Sequence, residues 1–163
     1  MVLHTSLGAN LLMVVSRKKN TINWIPFILV IVGLIDSVYL AWLKFANATA
    51  ACGNIGDCES VNSSPYAEVA GIPIALFGAG AYFIMLLLLI LEPRNKFWGA
   101  NATLGLFGIS LVGVLYSAYL TYVEIAILHA ICPYCVLSAV VLVILLAISI
   151  KKLLADLENP DAE

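Results

Sequence analysis

Residues 130–150 read AICPYCVLSAVVLVILLAISI, a pair of cysteines three positions apart followed by an unbroken apolar run. A bilayer-spanning helix needs about 20 mostly apolar residues, and this stretch has that length. Polar and apolar residues do not alternate along it, which argues against a strand of a membrane barrel. The stretch therefore predicts a transmembrane helix with a Cys-x-x-Cys pair at its start.

Three further apolar stretches precede this one, over about 24–43, 71–91 and 97–124. Four spans joined mainly by short connections predict an all-α integral membrane protein, folded as a four-helix bundle. The predicted organisation is an N-terminal tail over 1–23, a membrane domain over 24–153 and a C-terminal tail over 154–163. Between the first two spans, residues 46–70 form a long predicted loop rich in glycine, serine and asparagine.

The overall composition agrees with a membrane domain. Of the 163 residues, 63% are hydrophobic and 11% are charged, and the formal net charge is -2. An ordinary globular domain is about half apolar and about a quarter charged. This composition excludes a soluble enzyme, a disordered chain and a nucleic-acid-binding protein.

The basic residues predict the orientation of the chain. Seven of the eight fall on one side of the spans: Arg17, Lys18, Lys19, Arg94, Lys96, Lys151 and Lys152. The positive-inside rule makes that side cytoplasmic, so both termini are predicted inside and the loop 46–70 outside. Lys44, at the outer end of the first span, is the exception. The predicted location is the inner or plasma membrane, crossed several times.

All four cysteines, Cys52, Cys58, Cys132 and Cys135, then lie on the extracytoplasmic side, where oxidising conditions permit disulfides. Cys132 and Cys135 open a helix, whose unpaired N–H groups and dipole favour a thiolate. Proline between them is compatible with a first helical turn. The pair is a candidate redox centre, and the alternatives are a static disulfide or a four-thiolate zinc site with the loop cysteines.

Three other titratable residues are weighed for a role. Asp36 lies midway along the first span, where a charge is costly and suggests either a proton carrier or a hydrogen-bonded structural carboxyl. Glu124, near the outer end of the third span, is expected to be a solvated interfacial charge rather than a proton donor. His129 is either a thiolate-stabilising group or an interfacial loop histidine.

The order of these motifs resembles the vitamin K epoxide reductase family in its bacterial and archaeal form. In sequence, the motifs are the loop pair Cys52 and Cys58, then Ser64, then Gly71-Ile72-Pro73 opening a helix, and then Cys132-Pro133-Tyr134-Cys135 opening the last one. The resemblance covers about residues 24–150, which is nearly all of the hydrophobic chain.

The resemblance implies a four-helix bundle around a quinone, such as menaquinone or ubiquinone, that accepts electrons from a two-electron thiol relay. Cys52 would take electrons from a separate DsbA-like protein with a thioredoxin fold and a CxxC motif, because no fused thioredoxin-like domain is expected here. Cys58 would pass them to Cys132, and Cys135 would reduce the quinone beside Ser64. The implied function is quinone reduction coupled to thiol oxidation, in support of disulfide bond formation.

Two residues depart from the pattern of family members that reduce the epoxide. Those members carry Asn and Tyr where Ala75 and Ala139 stand in this chain, which favours quinone reduction over epoxide reduction.

A quinone-linked disulfide oxidase of a different four-helix fold shares the chemistry, but its CxxC precedes the partner-facing pair. The remaining alternative is a small membrane transporter or assembly protein with structural disulfides, which the position of Asp36 favours.

Overall fold

The computed structural model describes residues 24–48, 52, 56–92 and 96–158. The predicted N-terminal tail over 1–23 and Arg94 lie outside these ranges. Within them the chain is mostly helical, and four helices are long and apolar enough to cross a membrane. The predicted all-α class with four spans is thereby confirmed.

The four long helices are α1 (Trp24–Ala46), α3 (Ile74–Leu91), α4 (Lys96–Val123) and α5 (Pro133–Glu158). The segment between α1 and α3 contains a short helix α2 (Cys58–Asn62), a 3-10 turn (Pro65–Ala67) and the strands β1 (Glu68–Val69) and β2 (Ile72–Pro73). A π-helical turn, Glu124–Leu128, continues α4.

The long helices present large apolar side chains outward. Trp24, Trp42 and Val112 are 69%, 71% and 67% exposed, respectively. An apolar surface of this extent is expected of helices that face lipid. In hydrocarbon each backbone polar group must be satisfied within its own segment, which is why such apolar runs are helical. The chain is a multi-pass membrane protein, and the side that each end faces stays a prediction.

The four long helices form a closed ring, in which α1 packs on α3, α3 on α4, α4 on α5 and α5 on α1. Tyr82 of α3 stands at the centre and is 2% exposed. Its ring fills the space over Gly33 of α1, where an added Cβ would lie 2.3 Å from Tyr82 Cζ. Its hydroxyl lies 2.9 Å from Ser138 Oγ of α5. The core around it comprises Val30, Met85, Leu106, Val141, Leu142 and Leu145.

Helix α5 continues past the predicted end of its span near residue 150. Lys151, Lys152 and the residues after them are mostly good helix formers, so the helix runs on to Glu158. Lys152 Nζ pairs with the carboxylate of Glu92 after α3. The predicted C-terminal tail thus begins as helix, and the residues after 158 lie outside the described ranges.

The segment that connects α1 to α3 is folded onto the bundle by Lys44. Its Nζ donates a hydrogen bond to the carbonyl oxygen of Asn62 at 2.6 Å and lies 3.0 Å from Glu68 Oε1. The side chain that stood apart in the charge pattern therefore ties the last turn of α1 to both α2 and β1.

A tight hairpin leads from this segment into α3. Strands β1 and β2 are antiparallel, with Val69 opposite Ile72. Ala70 and Gly71 between them have φ of 54° and 78°. A two-residue type I′ turn requires a positive φ at both central residues, and glycine adopts a positive φ without steric cost.

Candidate redox site

The four cysteines meet at one end of the bundle, where α1 ends and α5 begins. Cys52 and Cys58 form a disulfide with their Cα atoms 6.1 Å apart, whereas Cys132 and Cys135 are free thiols. Cys58 and Cys132 are each 1% exposed and share one apolar cluster, against which Cys52 and Cys135 pack. The disulfide leaves only two free thiols at this end, so the structure does not show the four-thiolate zinc arrangement.

The loop disulfide is docked directly on the segment that carries Cys132. The backbone N–H of Asp57 donates to the carbonyl oxygen of Ile131 at 3.2 Å. Beside it, a Cβ added to Gly56 would lie 2.5 Å from that oxygen and 2.8 Å from Pro133 Cδ. Only glycine allows the two backbones to approach so closely.

Asp57 also fixes the position of Cys58 at the start of α2. Its carboxylate accepts hydrogen bonds from the backbone N–H of Ser60 at 3.0 Å and from the Ser60 hydroxyl at 2.5 Å. These are the bonds of an N-cap residue. They lower the pKa of Asp57, chiefly through the Ser60 hydroxyl.

Cys132 immediately precedes α5, and its carbonyl oxygen accepts the Val136 N–H at 3.1 Å. The pKa of the Cys132 thiol is lowered, chiefly because the Cys135 thiol donates a hydrogen bond to its sulfur. The backbone N–H groups of Cys135 and Tyr134 act in the same direction, whereas burial and the Glu124 carboxylate oppose them. Stabilisation by N–H groups is what a thiol at a helix N-terminus experiences.

Glu124 organises the turn that leads into the CxxC pair. Its carbonyl oxygen accepts the Ala130 N–H at 3.0 Å, and its carboxylate Oε2 accepts the Cys132 N–H at 3.2 Å. The residue is 3% exposed. His129 closes the turn in the left-handed region, with φ of 50°.

The expectation that Glu124 is a solvated interfacial charge is wrong. The π-helical turn and the left-handed residue after it fold the chain back, so the carboxylate points under the start of α5. A signal for this was present in the sequence, because the first N–H groups of a helix need acceptors and Glu124 is the acidic residue closest before Cys132.

Ser64 and His129, the other residues singled out beside the cysteines, have backbone partners. Ser64 is 7% exposed, and its hydroxyl donates to the carbonyl oxygen of Val61, a member of the cysteine cluster, at 2.7 Å. His129 is exposed, with Nδ1 3.4 Å from the carbonyl oxygen of Ile127. Contact of Ser64 with a quinone stays a prediction.

Asp36 faces the interior of the bundle and is 6% exposed. In the part of the chain that the structure describes, neither carboxylate oxygen has a hydrogen-bond partner. The carboxylate interacts electrostatically with Tyr134, whose ring lies 5.3 Å from that of Tyr39 between centroids. Asp36, Tyr39 and Tyr134 therefore form a polar patch on α1 and α5. Tyr134 is the residue directly before Cys135 in the sequence.

Comparison with known proteins agrees with this arrangement of cysteines. The model of the vitamin K epoxide reductase family matches residues 24–150, a range that contains all four cysteines. The chain is 32% identical over 124 residues to the thiol-disulfide oxidoreductase LTO1 of Arabidopsis thaliana, a match that covers 72% of this chain and 33% of that protein. It thus spans about a third of the length of that relative. The chain belongs to the vitamin K epoxide reductase family.

Proposed function

We propose that this protein is a membrane thiol oxidase that takes electrons from a thioredoxin-fold, DsbA-like partner and delivers them to a quinone, in support of disulfide bond formation. Membership of the family and the similarity to a thiol-disulfide oxidoreductase support a redox role in thiol oxidation. The observation that carries the proposal is the packing of the Cys52–Cys58 disulfide and the free thiols of Cys132 and Cys135 in one buried cluster.

Accessibility favours Cys52 as the residue that meets the partner. Cys52 is partly exposed, whereas Cys58 and Cys132 are each 1% exposed. A partner thiolate attacks Cys52 Sγ, which breaks the Cys52–Cys58 bond and releases Cys58 as a thiolate. Cys58 then attacks Cys132 Sγ of the oxidised CxxC pair, and Cys135 leaves as a thiolate.

Two further exchanges complete the transfer. The second thiol of the partner attacks the partner sulfur bonded to Cys52, which forms the partner disulfide and frees Cys52. Cys52 then attacks Cys58, restores the Cys52–Cys58 disulfide and expels Cys132, whose lowered pKa makes it a good leaving group. The net result is an oxidised partner and a reduced Cys132–Cys135 pair, the pairing that the structure has.

The polar patch of Asp36, Tyr39 and Tyr134 has groups that suit a quinone. A quinone is a flat apolar ring with two carbonyl acceptors, and family members use quinone electron acceptors in general. The Tyr39 and Tyr134 rings supply aromatic surface, and the buried Asp36 carboxyl, which has no hydrogen-bond partner among the described residues, supplies a polar contact. When bound, the quinone supplies a sink for two electrons and two protons. Ser64 is proposed as a further contact.

The test is quinone reduction by purified protein with a dithiol reductant, comparing wild type with Cys135→Ala. We expect turnover in the wild type and loss of it in the variant. With an oxidised thioredoxin-fold protein, the free Cys52 thiolate of Cys58→Ser attacks the disulfide of that protein, and a mixed disulfide at Cys52 is expected to accumulate because Cys58 is absent and cannot displace it. Cys132→Ser is expected to leave the Cys52–Cys58 pair unable to pass electrons on.

Wild-type rates in Cys135→Ala would contradict the relay. The alternative of a transporter or assembly protein with structural disulfides predicts a different pattern, namely no turnover with any quinone and cysteines that resist reduction in folded protein.

A further inference from the structure

The two carboxylate oxygens of Glu124 have different surroundings. Oε2 accepts the Cys132 N–H, whereas Oε1 is buried with no hydrogen-bond partner among the described residues. The two ion pairs found in those residues, Lys44 with Glu68 and Lys152 with Glu92, do not include it. The carboxylate interacts electrostatically with both Cys132 and Cys135. A buried carboxylate that has no ion-pair partner in the described part of the chain and interacts with a thiol pair needs a reason beyond holding the turn.

Disulfide formation by the CxxC pair requires a proton acceptor. The N–H groups at the start of α5 favour the thiolate of Cys132, and the Cys135 thiol donates a hydrogen bond to that sulfur. Cys135 therefore holds the proton that must leave before the two sulfurs can join. The pair is packed in an apolar cluster, so an acceptor built into the protein is needed at this point.

We propose that Glu124 is the proton acceptor of the Cys132–Cys135 pair, a catalytic residue whose Oε1 takes the thiol proton of Cys135 while Oε2 holds the Cys132 backbone in place. This inference rests on the proposed function, which supplies the quinone as the electron acceptor. In the step, the S–H bond of Cys135 breaks and an O–H bond forms at Oε1. The Cys132–Cys135 S–S bond forms, and the two electrons would pass to a bound quinone, whose reduction to the quinol would take the proton held by Glu124 and one proton from solvent.

The titratable groups on the neighbouring elements do not compete for this role. The π-helical turn packs chiefly against α4 and α2 and lies under the start of α5. Asp57 and Glu59 at the start of α2 are exposed, as are Tyr122 at the end of α4 and His129 after the turn. The Glu124 carboxylate interacts with the thiols of Cys132 and Cys135.

The test uses Glu124→Gln in the full chain, because glutamine keeps an oxygen acceptor for the Cys132 N–H and removes the base. We expect quinone-coupled turnover to fall about a hundredfold, within the usual range for loss of a general base. In the same variant without quinone, alkylation of Cys132 is expected to become half-maximal at lower pH, because the charge that opposes its thiolate is gone. In Glu124→Gln the Cys132 thiolate should therefore form more readily while turnover becomes slower.

The two readouts separate the possible roles. A residue that only holds the turn would leave turnover unchanged in Glu124→Gln, and one that only tunes the thiolate would leave turnover unchanged or make it faster; either result overturns the inference. The matched control is Glu92→Gln, the same substitution after the last residue of α3, at the opposite end of the bundle from the cysteines, which should change neither readout. A wild type without quinone turnover refutes the proposed function itself, whereas an active wild type with an equally active Glu124→Gln refutes this inference alone.

A second pair of variants keeps the inference testable if Glu124→Gln fails to fold. Glu124→Asp and Glu124→Asn have the same shortened side chain and differ only in the carboxylate. We expect Glu124→Asp to turn over at least tenfold faster than Glu124→Asn, and equal rates overturn the inference.

Discussion

Substitution of Gly56 tests whether docking of the loop disulfide on the CxxC segment controls electron transfer. In Gly56→Ala the new methyl group would lie 2.5 Å from the Ile131 carbonyl oxygen and 2.8 Å from Pro133 Cδ. Both neighbours belong to the backbone or to a proline ring, so neither can move aside as a flexible side chain would. The loop must therefore shift away, and the hydrogen bond from the Asp57 N–H to the Ile131 oxygen is lost with it.

The magnitude follows from these two contacts. Overpacking of a close contact costs about 1–3 kcal/mol, and a net hydrogen bond contributes about 1 kcal/mol. Docking should therefore weaken by about 2–4 kcal/mol. Since 1.4 kcal/mol is a factor of ten in an equilibrium constant, the docking constant should fall by a factor of about 30 to 700.

The assay measures the effective concentration of Cys58 at Cys132. In the Cys52→Ala, Cys135→Ala background only these two cysteines remain, and a glutathione redox buffer sets the equilibrium of their disulfide. We expect the effective concentration to fall about 30-fold or more in Gly56→Ala. The control is Gly80→Ala, where an added Cβ meets nothing within 4 Å. If Gly56→Ala has an effective concentration within twofold of that of the same two-cysteine background with Gly56 intact, the docked geometry is refuted.

Three further predictions concern the bundle and the thiols. Gly33→Ala forces the Tyr82 ring aside and should destabilise the folded state by about 1–3 kcal/mol in thermal unfolding followed by circular dichroism; an unchanged midpoint would contradict the close contact. Cys135→Ala removes the main hydrogen bond to the Cys132 sulfur and should raise the pKa of the Cys132 thiol. Alkylation of Cys132 should then become half-maximal at higher pH. Cys135→Ser keeps a hydrogen-bond donor and should shift this pH less. Asp36→Leu removes a buried carboxyl that has no hydrogen-bond partner in the described part of the chain, and it should stabilise the fold by about 1–3 kcal/mol while raising the KM for quinone; a less stable protein would show that Asp36 has a structural partner.

The number and the class of the helices could be predicted from the sequence because a lipid-facing helix is recognised by length and hydropathy alone. The family, too, was recognisable from the order of its cysteine motifs, and the family match over 24–150 confirms it. The ends of the helices were less predictable. Helix α5 extends to Glu158 because helix propensity continues where hydropathy stops.

The site was only partly predictable, because its residues are brought together by contacts that leave no periodic signal. Glu124 was misjudged since a charge near the end of a span is usually solvated, and only the π-helical turn turns it inward. Gly56 could be classed as a loop former but not as the contact point with Pro133. Orientation in the membrane, the quinone and the partner remain predictions.

By itself the sequence determined that the protein crosses a membrane with four helices and that a CxxC pair opens the last one, because hydropathy and short-range spacing are properties of the chain in one dimension. Only the tertiary structure decided that the Cys52–Cys58 disulfide packs beside Cys132 and that a buried carboxylate stands beneath the thiols. Those contacts depend on how α1 and α5 are placed relative to each other and on one irregular turn. Long-range placement of this kind is set by packing, which local sequence patterns do not encode.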